Sequence, residues 1–129
     1  MARRPTPRPT DAELAILGVL WKLGPSTVRE VCEELNRQRP TGYTTALKLL
    51  QIMSEKGLVE RDESRRAHRY RARSAKAETQ GRLIGDLLDH AFGGSAMALV
   101  MRALSDRRTS PEELARIRKL IDELEEDSQ

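Results

Sequence analysis

The stretch that decides the fold runs from Tyr43 to Arg73 and reads YTTALKLLQIMSEKGLVERDESRRAHRYRAR. Helix formers fill Ala46 to Lys56, and Gly57 supplies a left-handed stop. Leu58-Val59-Glu60-Arg61 and Ala67-His68-Arg69-Tyr70-Arg71 then alternate in the two-residue period of a strand, with the polar run Asp62 to Arg65 between them. The pattern predicts a helix from about Thr44 to Lys56, then a β-hairpin rich in arginine at Arg61, Arg65, Arg66, Arg69, Arg71 and Arg73. A helix that reads DNA followed by a basic wing is written this way.

Working outward, two helices precede that stretch. Thr10-Asp11-Ala12-Glu13 is a capping box, and Leu14, Leu17 and Trp21, with Ile16, Leu20 and Leu23 beside them, give one broad apolar face that ends at Gly24-Pro25. A second capping box, Thr27-Val28-Arg29-Glu30, opens a shorter helix with Val28, Val31, Cys32 and Leu35 at three- and four-residue spacing, ending near Asn36. In the third helix Ala46, Leu49, Leu50 and Met53 are expected inward, leaving Thr44, Thr45, Leu47, Lys48 and Gln51 on the other side. Three helices and one hairpin make a winged helix-turn-helix over residues 10–73. Residues 1–9 alternate Pro with Arg and Thr and read as a flexible, extended basic arm.

From Ser74 the pattern is helical without strands. A helix from Ala75 to His90 is followed by the break Phe92-Gly93-Gly94, a helix from Ser95 to about Leu104, and a third from Pro111 to about Glu126, capped by Ser110. Three such helices are too small to hold a core alone, since a single core below about 70 residues is marginal. Pairing with a second copy about a twofold axis is the economical solution. Residues 74–129 therefore read as a helical dimerisation domain, with Leu87, Leu99, Leu114, Ile117, Leu120, Ile121 and Leu124 at the interface. The expected fold class is mainly α with a small β-hairpin.

The charge follows the same division. Residues 1–76 carry 16 Lys/Arg against 9 Asp/Glu, and residues 77–129 carry 7 against 11. The front half suits an anion. Thr44, Thr45 and Lys48, in the first turns of the reading helix, suit base edges, where Thr meets a thymine methyl and Lys a guanine acceptor. Tyr43, Arg65, Arg66 and Arg69 suit phosphates; after Glu63 the hairpin arginines have no matching carboxylate nearby in sequence.

Other classes are disfavoured. The two histidines, His68 and His90, fall in no HExxH or zinc-deaminase spacing, and no nucleophile elbow or phosphate-binding loop occurs. No enzymatic activity and no cofactor or metal are expected. Cys32 is the sole cysteine, which excludes a disulfide within the chain, and it sits at an apolar helix position. The N-terminus has no apolar core of a signal peptide, and no run approaches the roughly 20 apolar residues of a membrane span. A cytoplasmic protein without membrane insertion is expected. A rival from another class is a helical adaptor that binds proteins through residues 74–129.

Taken together, Asp11-Ala12-Glu13-Leu14, Val19-Leu20-Trp21, Thr27-Val28-Arg29-Glu30-Val31, Tyr43-Thr44-Thr45, Leu50-Gln51, Glu55-Lys56-Gly57-Leu58-Val59 and Tyr70 resemble, in order and spacing, the penicillinase-repressor (BlaI/MecI/CopY) family. The resemblance covers about residues 9 to 125. It implies a homodimeric transcriptional repressor whose winged helix binds an inverted-repeat operator in double-stranded DNA, with the recognition helix on Tyr43 to Lys56 and the wing on Asp62 to Arg69. It also implies a membrane sensor protease as an indirect partner, with cleavage near Arg102-Ala103. Here the chain departs from the family: Val100-Met101-Arg102-Ala103-Leu104 lacks the Asn-aromatic pair of the known cleavage sites, and residues 74–129 lack the cysteine cluster of the copper-responsive branch.

Overall fold

The computed structural model describes residues 8–128, so all but the last two positions of the expected basic arm lie outside the described residues. Helix α1 (Asp11–Leu23) opens on the expected capping box: the Thr10 hydroxyl accepts from the Glu13 N–H at 3.2 Å, and the Glu13 carboxylate accepts from the Thr10 N–H at 2.8 Å. The two-residue strand β1 (Ser26–Thr27) follows, and Thr27 and Glu30 make the second reciprocal cap, on α2 (Val28–Asn36). Helix α3 (Tyr43–Lys56) starts at Gly42 and ends at Gly57. With φ +81°, position 57 favours glycine; the Arg73 Nη1, 3.0 Å from where a Cβ would stand, ends a flexible side chain that can give way.

Strands β2 (Val59–Asp62) and β3 (Arg69–Ala72) form the hairpin, with Arg61 opposite Tyr70 and Asp62 opposite Arg69. The sheet has three antiparallel strands in the order β1-β3-β2, where the sequence reading expected the hairpin alone. The added strand pairs Ser26 with Tyr70 and Thr27 with Arg69. Two residues carry no periodicity, so β1 exists only by virtue of the partner strand that the fold brings to it.

Ile16, Leu17, Val19 and Leu20 of α1, Val31 and Leu35 of α2, and Ala46, Leu50 and Met53 of α3 close over Val59 and Tyr70 of the sheet. Leu47, expected outward, and Leu49, expected inward, are both half-buried and both pack on this core. Glu13 is also inside, 1% exposed, with Lys56 Nζ at 2.9 and 3.0 Å from its two oxygens. This pair joins the start of α1 to the end of α3. Burial pushes the Glu13 carboxyl upward, but the Thr10 N–H and the Lys56 cation outweigh it and hold the group below its ordinary value.

The chain divides into two compact units, Met1–Leu83 and Ile84–Gln129, with the division inside α4 (Lys76–Ala91). The segment before it is tied to the first unit: the Trp21 indole N–H donates to the Ser74 carbonyl at 3.0 Å, and Thr79 is buried. In the second unit, α4 ends at the left-handed Gly93-Gly94 turn. Ser95 then caps α5 (Ala96–Asp106), and Ser110 caps α6 (Pro111–Asp127), each hydroxyl accepting a backbone N–H at 3.1 Å. α5 runs two residues past the expected Leu104, where Arg102 and Asp106 pair one turn apart at 3.5 Å. Neither α5 nor α6 contains a fully buried residue.

Candidate nucleic-acid interface

The geometry of α3 depends on the turn before it. Asn36 clamps that turn: its amide donates to the Cys32 carbonyl at 2.7 Å and the Thr41 carbonyl at 2.8 Å, and its Oδ1 accepts from the Thr41 N–H at 2.9 Å. The Cys32 thiol adds a bond to the Thr41 carbonyl at 3.3 Å. Lys22 and Glu34, 2.7 Å apart, fasten α1 to α2, and the Lys22 bond lowers the Glu34 carboxyl from its ordinary value. The second helix and the turn thus hold α3 at a set angle.

Three rows of side chains run along the open part of α3. Thr44 and Lys48, one turn apart, are exposed on the ridge. On one flank Tyr43, Leu47 and Gln51 border a cleft of about 640 Å³, closed on its far side by Arg29 of α2 and by Arg61, Arg66, His68 and Tyr70 of the hairpin. On the other flank Thr45 and Leu49 border a cleft of about 510 Å³, shared with Ala12 and Ala15 of α1 and with Arg39 to Gly42 of the turn. Thr44, Thr45 and Lys48 are therefore all open to a ligand but do not share one face. Tyr43, 54% exposed, belongs to the wing side.

The wing spans residues 63–68, all exposed, and begins with the Asp62 carboxylate accepting the Ser64 N–H at 2.9 Å. The Ser64 hydroxyl and N–H lower the Asp62 carboxyl from its ordinary value, and the nearby Arg65 charge adds to this. Carboxylates from other elements revise the expectation that the hairpin arginines stand unmatched. Arg61 pairs with Glu63, Arg71 and Arg73 with Glu60, and Arg69 with Glu30 of α2 at 3.6 Å. Arg65 and Arg66 alone among these six make no ion pair within the described residues. Arg69 is placed apart from them, in β3 and partly buried, with its Nε lacking a hydrogen-bond partner.

Sequence reasoning placed Gln51 on the open side of the third helix but missed Arg29 and His68 as walls of the wing-side cleft. The available signal was positional: Arg29 is the second residue of a capped helix that abuts the hairpin. Among the described residues no group of three or more His, Cys, Asp or Glu could hold a metal ion. No single described helix is long and apolar enough to cross a membrane.

A helix-turn-helix, a small sheet and an arginine-tipped hairpin describe many DNA-binding folds, so family is decided by sequence. The profile of the penicillinase repressor family matches residues 9–123. The chain belongs to the penicillinase repressor family. Within the family, the transcriptional regulator BlaI of Mycobacterium tuberculosis, in strains CDC 1551 and H37Rv, is 34% identical over 117 residues, spanning 89% of this chain and 83% of the relative. Among solved structures, the monomeric BlaI of Bacillus licheniformis in complex with the blaP half-operator superposes with a TM-score of 0.51 at 24% identity, over 59% of this chain and 93% of that one. A MarR family protein from Bacillus stearothermophilus gives 0.50 at 21% identity, over 92% of this chain and 74% of that one. These two likenesses establish the winged-helix fold. Penicillinase repressors are transcriptional regulators, and the chain is one by descent.

Proposed function

We propose that this repressor works in the cytoplasm as a homodimer on an inverted-repeat operator, each protomer laying α3 in one major groove and its wing along the flanking backbone. The observation that carries the reading is the pair of unmatched wing arginines, Arg65 and Arg66, beside an exposed ridge with Thr44 and Lys48. In this arrangement Thr44, Thr45 and Lys48 meet base edges, and Tyr43, Arg65 and Arg66 hold phosphates. Arg69 reaches a phosphate by giving up its pairing with Glu30. The half-operator bound by the Bacillus licheniformis relative supports duplex DNA as the partner.

The dimer rests on the second unit. Met97 is 70% exposed, Leu124 59% and Leu120 53%, with Leu87 and Ile121 close behind. Leu99, Leu114 and Ile117 are half-buried. An apolar side chain gains about 1.5–3 kcal/mol when fully covered, so helices with this much open aliphatic surface favour a second copy. Release of the operator then follows from anything that parts the two copies. A cut at Arg102-Ala103, inside α5, made by a protease that a membrane sensor activates, would do so by severing α6 from the reader.

Selection of bound duplexes from random DNA by the full chain tests the reading. Recovery of an inverted repeat, bound more weakly as salt rises, is the expected result. Recovery of no sequence, with no salt-dependent binding, would favour the helical adaptor instead.

A further inference from the structure

The open stripe of α3 extends beyond the two residues of its ridge. At about 100° per residue, Thr44, Lys48 and Gln51 fall within a sector of roughly 60° around the helix axis, and all three are exposed. Gln51 lies nearly two full turns beyond Thr44, so although it borders the wing-side cleft it stands almost in line with Thr44. None of the three engages its side chain in a hydrogen bond or ion pair within the described residues. Leu47, on the flank beside them, packs on the core instead.

The length of the stripe suits a duplex. A helix rises about 1.5 Å per residue, which puts Gln51 roughly 10 Å from Thr44 along the axis. Base pairs repeat about every 3.4 Å, so the stripe covers about three steps of DNA. Glu55, the next exposed position in the same line, carries a charge that the phosphates repel and ends the stripe. Gln51 is therefore its last side chain suited to a base edge.

We propose that Gln51 is a specificity-determining residue that selects an adenine about three base pairs along the major groove from the base met by Thr44, an inference that rests on the operator reading above. Its amide offers an N–H donor and a carbonyl acceptor side by side. Adenine presents the complement in the major groove, its N7 accepting and its N6 amino group donating, so the amide forms two bonds with it. Guanine offers two acceptors there, cytosine a donor, and thymine an acceptor beside a methyl group, and each leaves one end of the amide unmatched. Gln51 thus adds a preference that Lys48, which suits guanine, does not supply.

The probe is the duplex recovered by the full chain from random DNA, remade with each adenine position of the half-sites replaced in turn by 7-deazaadenine. That base keeps the pairing and the N6 amino group but carries C–H in place of N7, so it removes one of the two bonds. The full chain is expected to lose about fivefold per half-site at one adenine position. Gln51→Ala should lose about tenfold per half-site on the natural duplex and nothing further from 7-deazaadenine at that position. Its thermal midpoint should hold, since the site is exposed and alanine is the best helix former. The proposal would be overturned by a half-site with no fixed adenine, by a wild-type chain insensitive to 7-deazaadenine, by a variant that keeps the wild-type sensitivity at every position, or by equal losses on selected and random duplexes. Recovery of no duplex by the wild-type chain would instead remove the operator reading itself, and the proposal with it.

Discussion

Lys48 and Arg65 carry the same charge and should fail in different ways. Lys48 stands on the open ridge of α3, so Lys48→Ala is expected to lose about 1–3 kcal/mol on the selected site and to relax preference at the base it meets. Arg65 stands on the wing without a carboxylate of its own, so Arg65→Ala should weaken selected and random duplexes alike and flatten the salt slope by about one unit. Titrations of both variants on both duplexes at several salt concentrations separate the two; identical profiles would contradict the assignment. Glu13 and Lys56 act on stability instead. The Glu13 carboxyl lies below its ordinary value of 4.5 in the folded chain, so its contribution is fully present above that pH and is lost as pH falls through the folded value. Glu30, Glu34 and Asp62 are lowered too and act in the same direction. The urea midpoint should therefore fall on acidification from pH 7 to pH 3. Lys56→Met, which leaves a nearly buried carboxylate without its cation, should cost about 2–3 kcal/mol at pH 7 and make this pH dependence shallower.

At the scale of the element, the features legible in the sequence were those encoded within a few neighbouring residues. The two reciprocal caps, the left-handed Gly57 stop, the Phe92-Gly93-Gly94 break and the Ser110-Pro111 start are all local and all present. What the sequence did not reveal needs partners brought from elsewhere. The strand β1 requires Tyr70 opposite Ser26, and the Glu13 pair requires a lysine 43 residues away. Arg69 and Arg71 looked unmatched because Glu30 and Glu60 belong to other elements. Leu47 looked outward because helical spacing places it beside Lys48, yet it packs on the core at the edge of the cleft that the hairpin closes on its far side. For the site, residue types were legible and their grouping was not. The Asn36 clamp on the turn belongs to the same class of hidden feature, and it makes a prediction. Asn36→Ala removes two bonds that span the turn to Thr41 and one back to Cys32 in α2, worth about 1–2 kcal/mol of stability in all. DNA affinity should fall further than that, because α3 is no longer held at its angle to α2. Equal losses in unfolding and in binding assays would reduce Asn36 to a stabilising role only.

Over the whole molecule, two readers on one duplex gain because the second binds from the first at a high effective concentration, commonly worth 10²–10⁴ in affinity. In the proposed dimer that gain depends on the exposed aliphatic surface of α4 to α6. The double variant Leu120→Asp/Leu124→Asp should sediment as a monomer and lose about a hundredfold on the inverted repeat while binding a single half-site as the wild type does. The central claim, that two linked copies read two half-sites on one face of the duplex, is tested most directly by altering the DNA and leaving the protein intact. Inserting about five base pairs between the half-sites turns one of them by half a helical turn to the opposite face. The full chain is expected to bind this duplex no better than a single half-site; affinity equal to that for the uninterrupted inverted repeat would contradict a dimeric reader.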